Sequence, residues 1–183
     1  LHVLAERGDL AAAEEVEATY GLGGPVPESM LLNPMLYGRG VLRLAQGRHA
    51  EAADDLRELG RRHARWGMRR PSPPWRGGAA LALLATGNGS EARRLADEQV
   101  ALARAWGTPR SLGPALRVAA LCGPPEARTA GLAAAVASLD GTPWRLELAR
   151  ARCDLGAELR RAGSRREARA ELEAAMGLAH ACG

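Results

Sequence analysis

Four histidines, three cysteines and a cluster of arginines are the side chains of this sequence whose types could do chemistry. His2, His49, His63 and His180 show no HxxxH or comparable ligand spacing, so no metal site is expected. Cys122, Cys153 and Cys182 are odd in number and form no CxxC pair, which argues against a disulfide framework and for a reducing, cytoplasmic setting. Nothing in the spacing assembles a Ser, His and Asp set, and idle or buried thiols account for the cysteines more simply than a nucleophile does. A phosphate-binding loop needs a Lys after its glycines to reach the β and γ phosphates. All 25 basic residues here are Arg, so that motif is absent in its usual form. Gly21-Leu22-Gly23-Gly24-Pro25 follows no strand pattern and reads as a linker. The expectation is a chain without catalysis, metal or cofactor.

Charge carries more information. Residues 1–60 hold 5 Arg against 10 Asp and Glu, a net of −5, whereas residues 61–183 hold 20 against 11, a net of +9. Arg57, Arg61, Arg62, Arg65, Arg69 and Arg70 form the one local cluster, with Arg57, Arg61 and Arg65 on one helix face at i, i+4 spacing. These three are candidates for a docking patch for an acidic surface; the plainer reading is cations favouring a helix C-terminus. Direct contact with nucleic acid is not expected, because no reading element or interleaved aromatics accompany the charge. No apolar run approaches the ~18 residues of a membrane span.

The elements that must position these residues are helices. Hydrophobic residues make up 46% of the chain and aromatics 3%, with neither Phe nor Ile, so the core must be Leu, Ala and Val. Ala and Leu are strong helix formers. The missing Lys, Ile and Phe share A/T-rich codons, which points to a GC-rich bacterial genome. One pattern recurs: a helix, a Gly, then an Ala five residues later inside a second helix. It reads LAERGDLAAA at Gly8 and Ala13, LAQGRHAEA at Gly47 and Ala52, LATGNGSEA at Gly87 and Ala92, and RRAGSRREA at Gly163 and Ala168. A degenerate copy at Gly123 has Arg128 in the Ala position. The Gly is expected to end the first helix in a left-handed turn, and the Ala to mark where two helices cross closely.

The map that follows is all-α: a right-handed superhelical stack of about five antiparallel hairpins, near residues 1–20, 34–66, 74–106, 109–139 and 144–181. Gly67, Gly107 and Gly183 are expected to cap second helices, and Thr108-Pro109 and Thr142-Pro143 to open hairpins. Gly21–Glu28 is the expected hinge, and Trp66 and Trp106, each before a capping Gly, are expected to pack between hairpins. The chain reads as one helical-repeat domain, residues 1–183, cut from a larger protein.

The fifth copy, ARCDLGAELRRAGSRREARAELEAAMGLA, is similar to a tetratricopeptide repeat, with Leu155, Gly156, Leu159, Gly163, Ala168, Leu172 and Ala175 on signature positions. The second copy keeps Gly40, Gly47, Ala52 and Leu56 but has Arg43 where a bulky apolar residue is usual. A spacing near 40 residues exceeds the usual 34 and implies longer helices or loops. Residues 34–183 further resemble the helical-repeat region of the large ATP-binding LuxR-type transcriptional regulators, relatives of the maltose-regulon activator. That resemblance implies a sensing segment whose partners include nucleotide-binding and helix-turn-helix modules outside these residues, a small-molecule or peptide effector, or a second copy of the chain. The alternative is a scaffold for self-association or protein–protein contact without a small ligand. The inward-facing register of the repeat makes Tyr37, Val41, Leu81, Arg117, Cys153 and Arg160 the candidate groove, suited to an apolar body with an anionic group, or to a peptide.

Overall fold

The protein is described by a computed structural model over residues 1–182. Among these residues all regular structure is helical: α1 (His2–Glu6), α2 (Leu10–Thr19), α3 (Asn33–Ala45), α4 (His49–Arg65), α5 (Trp75–Ala85), α6 (Gly89–Trp106), α7 (Pro109–Cys122), α8 (Pro125–Leu139), α9 (Arg145–Arg161) and α10 (Arg165–Cys182), with one 3-10 turn at Met30–Leu32. The alternation of long helices with short Gly-bearing turns is the architecture expected from the repeat. The wide spacing is taken up partly in helix length, since α4 and α9 have 17 residues and α10 has 18, about 25 Å each, and partly in the connections at residues 20–32 and 66–74.

The chain forms two compact units, Leu1–Leu95 and Ala96 onward. In the first, α1 packs on α2 and α3, α3 on α4, and α4 on α5. Leu36, Leu42, Leu56 and Leu59 are fully buried there. Leu56 is seated between two glycines: a Cβ on Gly40 of α3 would lie 2.7 Å from its Cγ, and one on Gly78 of α5 would lie 2.9 Å from its Cδ1. Helix backbones can approach this closely only where the facing residue has no side chain. In the second unit α7 packs on α8, α8 on α9, and α9 on α10. Its core is Leu132, Ala135, Val136, Leu139, Leu148, Ala151 and Leu155.

The repeat chemistry holds in four copies. Gly47 (φ +74°) and Gly163 (φ +85°) turn left-handed where α3 and α9 end, as do Gly8 and Gly87. In the α3–α4 turn, Arg48 then returns its N–H to Arg43 O at 2.8 Å, satisfying a carbonyl that the helix end would strand. Ala13, Ala52, Ala92 and Ala168 are all buried. The fourth copy differs. Gly123 has φ −83° and ψ 178°, an extended residue rather than a left-handed cap, because Pro124 and Pro125 follow and prescribe their own entry to α8.

Other expectations are corrected. Gly67 and Gly107 do turn left-handed after α4 and α6, while Gly183 lies outside the described residues. α9 opens at Arg145 behind Trp144, and the Thr142 hydroxyl instead donates to Leu139 O at 2.6 Å, closing the end of α8. α7 does open at Pro109, but the Thr108 hydroxyl meets Ser111 Oγ at 3.1 Å and caps no backbone N–H. Trp106 is 58% exposed, so it does not pack between hairpins; Trp66 is half-buried. Trp75 is the buried indole, its ring filling the space over Gly60. The expected hinge at residues 21–28 is pinned, as described next.

Candidate functional site

The densest polar constellation lies in the first unit, on the α3–α4 hairpin. Arg39 and Arg43 are one turn apart on α3 and both are buried, as is Asp55 of α4. Asp55 Oδ2 accepts from Arg39 Nε at 2.8 Å and from Arg43 Nη1 at 2.6 Å, and Oδ1 accepts from Arg39 Nη2 at 2.6 Å. Two guanidinium groups thus share one carboxylate. Arg39 spends its remaining capacity on the backbone, donating from Nη1 to Leu22 O at 2.5 Å and Gly24 O at 2.6 Å. One helix further, Arg62 repeats the arrangement: its Nε donates to Glu58 at 2.8 Å, and Nη2 and Nη1 donate to Val26 O at 2.6 Å and Pro27 O at 2.8 Å. Arg62, followed by Arg61, holds the Glu58 carboxyl below the usual carboxylate range. Residues 22–27 are therefore strapped to the hairpin by two buried, pre-oriented guanidinium forks.

Beside the strap is an open cleft of about 510 Å³ lined by Glu14, Glu17, Gly21, Gly24, Arg43 and Glu51, among others. Arg48 on its rim chelates Glu51 at 2.8 and 2.5 Å and depresses that carboxyl. A second open cleft, about 470 Å³, lies between α9 and α10 of the second unit. It is lined by Ala168, Leu172 and Met176 together with Arg160, Arg165, Arg169 and Glu173. Arg169 is engaged by Glu173 at 2.7 Å.

The candidate groove residues have diverse surroundings. Tyr37 is half-buried with its ring edge-on to His2, 5.1 Å between centroids. Val41, one turn later, packs against the cluster of Ala5, Ala13 and Leu42. Leu81 is half-buried on α5. Arg117 of α7 donates to Asp154 of α9 at 2.5 Å, leaving Cys153 exposed beside that pair, and Arg160 is exposed at the α9–α10 cleft. In the docking patch, Arg57 pairs with Glu91 at 3.1 Å, Arg61 with Glu58 at 2.7 Å, and Arg65 with Glu28. The i, i+4 spacing locates these three on an exposed face but does not reveal that each has an acidic neighbour. Arg62, one residue off that face, is the buried member, and Arg43 in an apolar repeat position was the one visible sign of a polar core.

Burial lifts the Cys122 thiol to about 11, so it stays protonated at neutral pH. Burial, with Arg70 and Arg76 nearby, lowers the pKa of His63. No group of His, Cys, Asp and Glu among the described residues could hold a metal ion. No helix among them is long and apolar enough to cross a membrane.

Comparison of the structure with solved ones decides the fold. BtubC (BKLC) from P. vanneervenii superimposes with a TM-score of 0.63 at 16% identity, over 98% of this chain and 76% of that one. A Podosopora anserina protein described as a kinesin light chain with nearly identical TPR-like repeats gives 0.58 at 21% identity, over 97% and 92%. A single-substitution variant of the same protein gives 0.60 with the same identity and coverage. The fold is TPR-like. No family model matches the chain, and no curated protein matches it in sequence. At such identities the likeness carries architecture alone, that of a helical-repeat framework.

Proposed function

We propose that the chain is a non-catalytic recognition segment of a larger bacterial transcriptional regulator, of the ATP-binding LuxR type, and that it binds a protein or peptide partner. The observation that carries partner recognition is the α9–α10 cleft. Arg160 and Arg165 make no ion pair among the described residues, and they stand beside apolar side chains that include Met176, 61% exposed. Two unpaired arginines beside apolar side chains, with Arg169 already engaged by Glu173, suit an acidic, amphipathic segment, whose carboxylates gain charge-assisted bonds while its apolar side covers Met176 and Leu172. The regulator setting is supported by the sequence resemblance over residues 34–183. In that setting residues 1–183 act as one repeat domain in the cytoplasm, and partner binding biases the parent between resting and active arrangements.

A small effector is the second reading, favoured by the cleft beside the strap. Its volume falls in the range of small-molecule sites, and Arg43 and Arg48 stand with Glu14, Glu17 and Glu51, a mixture suited to a zwitterion. The test uses the full-length protein: R160E with R165E should abolish regulated transcription while DNA binding persists. Unchanged regulation would count against the α9–α10 cleft. A melting temperature raised by one metabolite in both forms would favour the effector reading.

A further inference from the structure

The strap is bound in an unusual way. Four carbonyls, those of Leu22, Gly24, Val26 and Pro27, accept from Arg39 and Arg62, each of which is only 5% exposed. Glu28 at its end pairs with Arg65. The strap's side chains contribute little: Gly23, Gly24, Pro25 and Pro27 are exposed, and only Leu22 and Val26 are half-buried. Pro25 and Pro27 carry no N–H and fix their own φ, so the segment leaves fewer donors unmet and has a restricted backbone. Asp55 and Glu58 hold the two forks in place independently of what the forks grip.

We propose that Arg39, Arg62 and Arg65 form a binding site for a proline-containing peptide segment of a partner protein, and that residues 22–28 occupy it in cis. Main-chain carbonyls are common to every polypeptide, so a segment presenting the same rail can replace the strap. Selectivity comes from a backbone stiffened by proline between the two forks and an acidic residue opposite Arg65. The occupant in cis competes at an effective concentration of about millimolar, the scale for a short tether, so exchange answers to a partner that is concentrated or held elsewhere on the chain. Exchange also reshapes the adjacent cleft, because Gly21, Gly23 and Gly24 form part of its wall. The natural occupant rests on the reading of the chain as a recognition segment. The exchange itself does not, and is measured on this chain alone.

A spin label at Gly24→Cys reports the strap, in a background with Cys153→Ser and Cys182→Ser; Cys122 is buried. A Cβ at Gly24 meets nothing within 4 Å. The probe is a capped peptide of the strap's own sequence, LGGPVPE. The label should be restrained at rest and mobilised by the peptide with a midpoint of about millimolar. Glu28→Gln weakens the strap but not the peptide, and should lower that midpoint by up to about fivefold, the ceiling for an exposed ion pair. Arg62→Lys, unable to fork two carbonyls, should loosen the label without peptide. A label that the peptide never mobilises, in the parent or the Glu28→Gln chain, overturns the proposal. So does a label already mobile in the parent.

Discussion

Arg43 and Asp55 meet at 2.6 Å with both side chains less than a tenth exposed, at a repeat position where a bulky apolar residue is usual. The pair survives there because Arg39 joins it on the same carboxylate, even though Arg43 Nε is buried without a hydrogen-bond partner. Its strength as a support for the fold is therefore conditional on every member being present.

Asp55→Asn should expose that condition. It leaves two buried guanidinium groups without their carboxylate, and removing one partner of a buried ion pair costs about 3–5 kcal/mol. Urea unfolding followed by circular dichroism measures it. A loss below about 1 kcal/mol would mean that water reaches the site and the network carries little.

Two glycines of the last hairpin should respond in opposite directions to the same substitution. A Cβ on Gly156 would lie 2.7 Å from Leu172 Cγ and 3.1 Å from Ala168 O, whereas one on Gly177 meets nothing. Gly156→Ala should destabilise by about 1–3 kcal/mol through overpacking. Gly177→Ala, inside exposed α10, should stabilise by about 0.5–1 kcal/mol. Thermal melts of the two variants decide it; equal effects would contradict the close α9–α10 approach.

Cysteine reactivity should divide by burial. Cys153 and Cys182 are exposed, while Cys122 is buried with its thiol pushed up to about 11. At pH 8 iodoacetamide should modify the first two and spare Cys122 until urea unfolds the chain. Mass spectrometry of the native protein reads two adducts. A third under native conditions would contradict the packing of α7.

His63 should make the protein sensitive to acid. Its folded-state pKa lies below the ordinary value of about 6.5, so the unfolded chain binds the proton more readily. The contribution is complete above that value and is lost as pH falls through it, until the folded-state pKa is passed. His63→Gln should flatten the slope of stability between about pH 7 and pH 5 relative to the parent. Parallel slopes would assign the acid response to other groups.

The helices and turns were legible in the sequence because their causes are local. Gly47 and Gly163 mark left-handed turns at any tertiary setting, and Ala52 and Ala168 mark close crossings because the repeat places them at the same step each time. The failures are also local in origin: Gly123 loses its role to the two prolines after it, and Thr142 closes α8 rather than opening α9.

What only the tertiary structure decided is which charges are buried and what they hold. Arg39 and Asp55 are 16 residues apart, and Arg62 reaches carbonyls 35 and 36 residues away. Helical periodicity ranks side chains by face but does not say which segment covers a face. A glycine- and proline-rich run carries no side-chain pattern by which to foresee that its carbonyls would be gripped. The segment that composition marked as a hinge is thereby a strap, because a backbone acceptor has the same chemistry in every residue and acquires a partner only when the fold brings a donor to it.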